Sequence, residues 1–323
     1  MKKLILSVVV VMATVVFAEA AEVQNVTAKQ RYPWNGLVDI VCTVTGINGT
    51  TNGIKFAVAA VSLNSGDTYK ASDFWVMQNG TKIDSRMVHT NGNYRLLWDA
   101  QADLDSRIYS NMVVRVTCVE AKVQLWKDGP YWAETNIGAE KPEDYGYYFW
   151  WGDTVGYKRE NDEWVASDGS SSNFSFSIDN TPTFDKSVNA LKSEGWITAD
   201  NVLAPEHDAA HVQWGGNWRM PMKQELDDLN SKCDWTWTTK NGVKGYEVRG
   251  KDDYNSSSIF LPCAGADSHS FIGVGRIGCY WSSVPDGHYS WELYFNWSDH
   301  YTTSSYGTRY FGQSVRPVQG FTE

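Results

Sequence analysis

Apolar and polar residues alternate through Val38-Asp-Ile-Val-Cys-Thr-Val44 and again through Met112-Val-Val-Arg-Val-Thr-Cys118. A period of two places one set of side chains on a single face of a pleated strand. Similar runs rich in Val, Ile and Thr recur between residues 22 and 121. Between them stand Asn48-Gly49, Asn52-Gly53, Asn79-Gly80 and Asn91-Gly92, dipeptides that supply the positive φ angles of tight hairpins. This spacing predicts an all-β sandwich of immunoglobulin or fibronectin type over residues 22–121.

Past residue 121 the pattern changes. Asp185 is a candidate N-cap for a helix through Val188 and Leu191 that stops at Gly195. A second helix is predicted from Pro221, a residue suited to a first turn. Its Leu226, Leu229 and Cys233 fall at i, i+3 and i+7, on one stripe. In Trp291-Glu-Leu-Tyr-Phe295 the residues Trp291, Leu293 and Phe295 alternate onto one strand face, and Glu292 and Tyr294 point the other way. Residues 157–183 are rich in Ser, Asn and Asp and read as a surface excursion. Short strands, two helices and long loops make residues 122–323 an α+β unit.

The first 21 residues read as a secretory signal. Lys2 and Lys3 precede an apolar run from Leu4 to Phe17, and Ala18-Glu19-Ala20 offers a small-x-small cleavage site. The run is shorter than the ~20 residues that span a bilayer, and no later segment replaces it. No membrane insertion is therefore expected after cleavage. The expected location is extracellular or the cell surface, with the periplasm equally compatible.

Composition sharpens this picture. A net charge of −10 disfavours a nucleic-acid partner, because phosphate binding needs clustered Lys and Arg. Of 16 Trp, only Trp34, Trp75 and Trp98 precede residue 122, so the two halves differ in kind. Five cysteines in an exported chain invite disulfides. Cys42 with Cys118 and Cys263 with Cys279 are the candidate pairs, and Cys233 is left over as a buried thiol at a helix end.

The candidate binding residues lie near the C-terminus. Gly278-Cys-Tyr-Trp-Ser-Ser283, Trp291-Glu-Leu-Tyr-Phe295 and Gly312-Gln-Ser-Val-Arg-Pro-Val318 are apolar anchors. Between them fall His288, Tyr289, Asn296, Trp297, Asp299, His300, Tyr301, Ser304, Ser305, Tyr306, Arg309 and Tyr310. Tyr and Trp offer rigid area with a polar handle, while Asn, Ser and Asp offer adaptable hydrogen bonding. Such a surface suits a glycan or an extracellular protein. His207-Asp-Ala-Ala-His211 imitates a helical zinc motif. It lacks the general-base Glu and runs at once into Trp214-Gly-Gly, so a capping or surface role is expected.

Several motifs in the second unit carry a resemblance. They are Tyr131-Trp-Ala-Glu-Thr-Asn-Ile-Gly-Ala139, Tyr145-Gly-Tyr-Tyr-Phe-Trp-Trp-Gly152 and Asp208-Ala-Ala-His-Val-Gln-Trp-Gly-Gly-Asn-Trp-Arg-Met-Pro221. Trp235-Thr-Trp-Thr-Thr239, Ser258-Ile-Phe-Leu-Pro262, Tyr280-Trp-Ser-Ser283 and Ser314-Val-Arg-Pro-Val318 continue the series. In this order they resemble a bacterial family, the Fibrobacter succinogenes major paralogous domain. Gln30-Arg-Tyr-Pro-Trp-Asn-Gly-Leu-Val-Asp39 resembles the opening of sandwich modules that precede formylglycine-generating-enzyme-like domains. The resemblance implies a C-type-lectin-like fold, close to that of formylglycine-generating enzymes, in which the termini approach and the intervening loops form the binding face.

The lectin-like and enzyme-like implications can be weighed on residues. Lectin calcium loops would need one more ligand in each of Val284-Pro285-Asp286 and Trp297-Ser298-Asp299. No cofactor is expected, and Asp252, Asp253, Asp267 and Asp286 are the residues left for a structural calcium. Formylglycine generation oxidises a substrate cysteine through a copper-binding cysteine pair. Cys263 and Cys279 lack the surroundings of that pair, so no enzyme is expected. The sequence-level reading is a non-catalytic binding protein, with a structural or adhesive module and a formylglycine-type oxidase or hydrolase as alternatives.

Overall fold

A computed structural model describes residues 6–8, 21–31, 36–47, 54–71, 74–78, 81–83, 87–88, 90–104, 109–160, 163–170, 175–268 and 271–320. The chain divides into two compact units, Met1–Ala121 and Lys122–Glu323. Strands hold 47% of the residues and helices 14%, so the chain is β-rich with a helical minority.

Among its described residues the N-terminal unit has two sheets. One runs Glu22–Gln30, Leu37–Thr45, Gly92–Asp99, Phe74–Gln78, Thr81–Ile83 in spatial order. The other runs Leu6–Val8, Tyr109–Glu120, Ile54–Ser62, Thr68–Lys70, with Met87–Val88 also paired to Ile54–Ser62. The alternation predicted for residues 38–44 holds: Val38, Ile40, Cys42 and Val44 are fully buried. They join Phe56, Val58, Ala60, Leu96, Trp98, Val114 and Val116 in one apolar cluster. Trp98 keeps its indole N–H satisfied by donating to Asp103 Oδ2 at 2.7 Å, and Asp103 closes helix α1 (Ala100–Asp103). Outside the core, Asp39 receives Arg31 and Arg95. Asn48-Gly49, Asn52-Gly53 and Asn79-Gly80 lie outside the described residues, as does the predicted leader apart from Leu6–Val8 and Ala21.

The disulfide expectation is corrected. All five cysteines are free thiols. Cys118 donates through Sγ to the carbonyl of Ala21 at 2.8 Å. Burial pushes the thiols of Cys42, Cys233 and Cys263 up to about 12 and that of Cys279 well above its ordinary value. The strand pattern placed Cys42 and Cys118 in apolar surroundings, where a thiol behaves as a small hydrophobe and needs no covalent partner.

The C-terminal unit is built on a seven-stranded sheet: Glu163–Ala166, Tyr157–Glu160, Tyr148–Phe149, Gln313–Ser314, Ile277–Asp286, Tyr289–Asn296, His300–Thr303. A four-stranded sheet brings the unit's two ends together, with Tyr131 opposite Gln319 and Trp132 opposite Val318. A three-stranded sheet is formed by Asp234–Lys240, Val243–Arg249 and Ser258–Pro262. The clasp at the ends is Arg316, which is almost wholly buried. It donates to Asn136 Oδ1 and to the carbonyls of Ala133, Glu134 and Phe260 at 2.8–3.1 Å.

Both predicted helices are present, with one change. Helix α2 (Val188–Ser193) is capped by Ser187, whose side chain accepts from Ala190 N. Asp185, the expected cap, instead adopts φ +57° two residues earlier. Helix α3 (Ala209–Trp214) was not predicted. Asp208 caps it and also accepts from Met220 N, tying the helix start to the segment that leads into helix α4. Helix α4 (Lys223–Lys232) follows Pro221 and buries Leu226, Leu229 and its C-cap Cys233 as the stripe predicted. The excursion over residues 157–183 carries a hairpin, Tyr157–Glu160 with Glu163–Ala166, and a fully buried Phe176. Its polar letters concealed an edge extension of the main sheet.

Candidate functional site

The strands Ile277–Asp286, Tyr289–Asn296 and His300–Thr303 form a meander at one edge of the seven-stranded sheet. Asp286 pairs with Tyr289, so Gly287-His288 is a two-residue turn, and Gly287 supplies its φ of +56°. At the far end, Asn296 Oδ1 accepts from Ser298 N, Ser298 Oγ and Asp299 N at 2.8–3.1 Å. Together with the backbone bond from Asn296 N to the Asp299 carbonyl at 2.9 Å, that side-chain turn throws Trp297 outward, 73% exposed.

The predicted residues are strung along this meander, not gathered at a point. Seven steps from Tyr289 to Asn296 at ~3.4 Å each span ~24 Å. His288, Tyr289 and Ser304 lie at one end. His288 Nδ1 meets the carbonyl of Asp185 at 2.8 Å and its carboxylate at 3.1 Å. Ser304 donates to Asp286 Oδ2 at 2.6 Å. Trp297, Asp299 and His300 lie at the other end. Between them Tyr294 touches both Tyr301 and Tyr306, with ring centroids 5.4 and 5.5 Å apart and planes tilted by 36° and 40°. Tyr306 is 55% exposed and Tyr289 48%. Ser305 is exposed beside them, its N–H donating to Thr303 Oγ1.

Three of the predicted residues serve the scaffold. Arg309 is fully buried and donates to the carbonyls of Thr183, Lys186, Gly287 and Tyr289 and to Ser290 Oγ. Its guanidinium lies 5.0 Å from the Trp151 ring, and burial lowers its pKa to about 10. Arg309 thus fixes the turn that carries His288. Tyr310 packs edge-on against Phe184 and Phe311. His300 stacks on Trp235 at 4.2 Å with an 8° interplanar angle, and its Nδ1 contacts Asn230 Oδ1. Burial lowers its pKa, which favours the neutral ring.

A buried polar pair lies on the Tyr294 face of the same strands. Gln313 donates through Nε2 to Glu292 Oε2, and both residues are fully buried. Glu292 Oε1 and Gln313 Oε1 have no hydrogen-bond donor. Burial pushes Glu292 up to about 8, so it is largely protonated at neutral pH.

Other sequence candidates fall elsewhere. His207 ends a 3-10 turn (Pro205–His207) and stacks on Trp196, and His211 lies on α3 beyond the cap Asp208. The two imidazoles therefore share no helix. Asp252 and Asp253 lie on an exposed turn, Asp267 is buried, and Asp286 holds Ser304. Among the described residues no three His, Cys, Asp or Glu side chains converge to hold a metal, and no helix is long and apolar enough to cross a membrane.

Sequence reasoning passed over Tyr294, although the 291–295 alternation already turned it away from the core. It also passed over a cleft of about 500 Å³ beside Tyr145, between the loop at residues 138–146 and the strand Tyr157–Glu160. In the sequence Tyr145 stands out only as the first letter of the motif Tyr145–Gly152. No family model, curated protein or solved structure matches this chain.

Proposed function

We propose that the chain is a secreted or surface-exposed bacterial binding protein without catalytic activity. In this reading an immunoglobulin- or fibronectin-like sandwich supports a C-type-lectin-like unit related to the Fibrobacter succinogenes major paralogous domain. The meander from His288 to Tyr310 engages a glycan or an extracellular protein.

The observation that carries the reading is the 73% exposure of Trp297, projected by the Asn296 turn at the end of a tyrosine row. An exposed indole leaves a large apolar area in water unless a partner covers it. The strip around it has the Tyr, Ser and Asn character of paratopes, and its length suits an extended ligand. Catalysis by a cysteine pair finds little support in thiols that burial holds protonated, since the thiolate is the reactive species. The experiment is a glycan-array and extracellular-protein screen with the full chain and the Trp297→Ala, Tyr301→Ala double variant. Binding by the wild type that vanishes in the variant is expected. Undiminished binding by the double variant would remove the meander as the ligand face.

A further inference from the structure

The cleft beside Tyr145 lies toward the opposite edge of the main sheet from the meander. The strand Tyr157–Glu160, which forms one wall, is second in the sheet order, and His300–Thr303 is seventh. Five strand steps at ~4.8 Å separate them by ~24 Å. None of the residues that line the cleft is among those proposed for the meander.

The cleft's volume of about 500 Å³ falls within the range of small-molecule sites. Tyr145 and Tyr148 contribute aromatic surface, Glu140 and Asp144 line it with carboxylates, and Lys158 and Arg159 line it with cations. The tyrosines are held firmly. Tyr148 donates through its hydroxyl to the Ala264 carbonyl at 2.7 Å, and the Tyr145 carbonyl accepts from Asn136 Nδ2 at 3.0 Å. The cations are also held in place. Lys158 pairs with Glu160 at 2.7 Å, and Arg159 lies 5.7 Å from the Trp164 ring centre. Gly146, at φ +73°, folds the opposing loop so closely that a Cβ there would strike the Ile137 carbonyl.

This lining selects by charge. Two carboxylates and two cations sum to zero, and Lys158 is already paired with Glu160 while Asp144 accepts from the N–H groups of Glu140 and Lys141, so an ion of either sign loses hydration without a net opposite charge to replace it. A neutral polyhydroxylated ring escapes that penalty. Each hydroxyl both donates and accepts, so carboxylates and cations side by side satisfy it, while its C–H face packs on an aromatic surface. We propose that the Tyr145 cleft is a binding site for a neutral saccharide, independent of the meander.

The test is calorimetric titration of the full chain with cellobiose, maltose and xylobiose, and with glucuronic acid and glucosamine as charged comparators. At least one neutral disaccharide binds, and Tyr145→Ala weakens it by about tenfold or more, a scale set by the loss of one aromatic contact and its hydroxyl. Lys158→Ala, on a partly exposed strand where folding is not at risk, weakens the same sugar. Trp297→Ala leaves it unchanged. Absence of binding by all three neutral sugars overturns the proposal, as does binding confined to the charged comparators. Sugar binding lost only in Trp297→Ala overturns it too, while supporting the meander.

Discussion

The two units are held together in different ways. Among the described residues, Gln30 is the one buried polar residue of the N-terminal unit, whereas the C-terminal unit buries seventeen, including Arg309, Arg316, Glu292 and Asp208. The first interior is hydrocarbon, non-directional and tolerant of detail. The second adds to its apolar clusters a set of directed hydrogen bonds, in which buried groups such as Arg309, Arg316 and Asp208 depend on named partners. Burying an ionisable group is costly unless its bonds are made, so the second unit gains definite loop positions at the risk of sharp failure.

That contrast can be broken most severely at Arg316. Arg316→Ala strands the carbonyls of Ala133, Glu134 and Phe260 and the Asn136 amide oxygen. A loss on the order of 3–5 kcal/mol is expected in the urea unfolding of the C-terminal unit. Ile40→Ala, a fully buried position of the other core, should cost about 2–4 kcal/mol. An Arg316 variant as mild as a surface substitution would refute the directed-bond account.

One carboxyl in each unit, Glu292 and Asp39, should contribute a pH dependence of opposite sign. Burial raises Glu292 in the folded state to about 8. The unfolded chain ionises at the ordinary carboxylate value, so this contribution is full below that value, declines as pH rises, and levels off above about 8. In Glu292→Gln the decline of the C-terminal unit's melting temperature toward pH 8 should become shallower, the remainder coming from Asp153 and Asp208, which burial also raises. Asp39 behaves conversely: the hydrogen bond from Arg31 outweighs the opposing effect of burial and, with the bond from Arg95 and the two positive charges, holds its pKa below the ordinary value. Its contribution is present above the unfolded value and lost as pH falls. Asp39→Asn should cost about 1 kcal/mol or less at neutral pH, because the ion pairs are partly exposed. The smallest effect is chemical. Thiol titration should find native cysteines nearly inert and five reactive thiols after denaturation, matching five free cysteines.

Much of the first unit was legible from the period of two, since burial alone fixes which face of Leu37–Thr45 turns inward. Helix α4 was legible for the same reason at period 3.6. Arg309 was not. Among Thr308 and Tyr310 it looks like a surface cation, and its interior role depends on the carbonyls of Thr183 and Lys186, over 120 residues away. Asp185 and Ser187 are equally good caps as letters, and backbone conformation chose between them. Cysteines facing an apolar interior look the same in one dimension whether paired or free. Trp297 and the Asn296 turn were visible in the sequence, but the separation of the meander's two ends emerged only from strand register.

The central claim is that ligand recognition falls on the exposed meander. The direct measurement is the indole N–H spectrum of the isotope-labelled full chain, titrated with a binder from the glycan and protein screen. The account predicts that the Trp297 resonance shifts with saturation while those of the buried Trp98, Trp132, Trp151 and Trp281 stay fixed. A binder that saturates the chain and leaves the Trp297 resonance unmoved would contradict it.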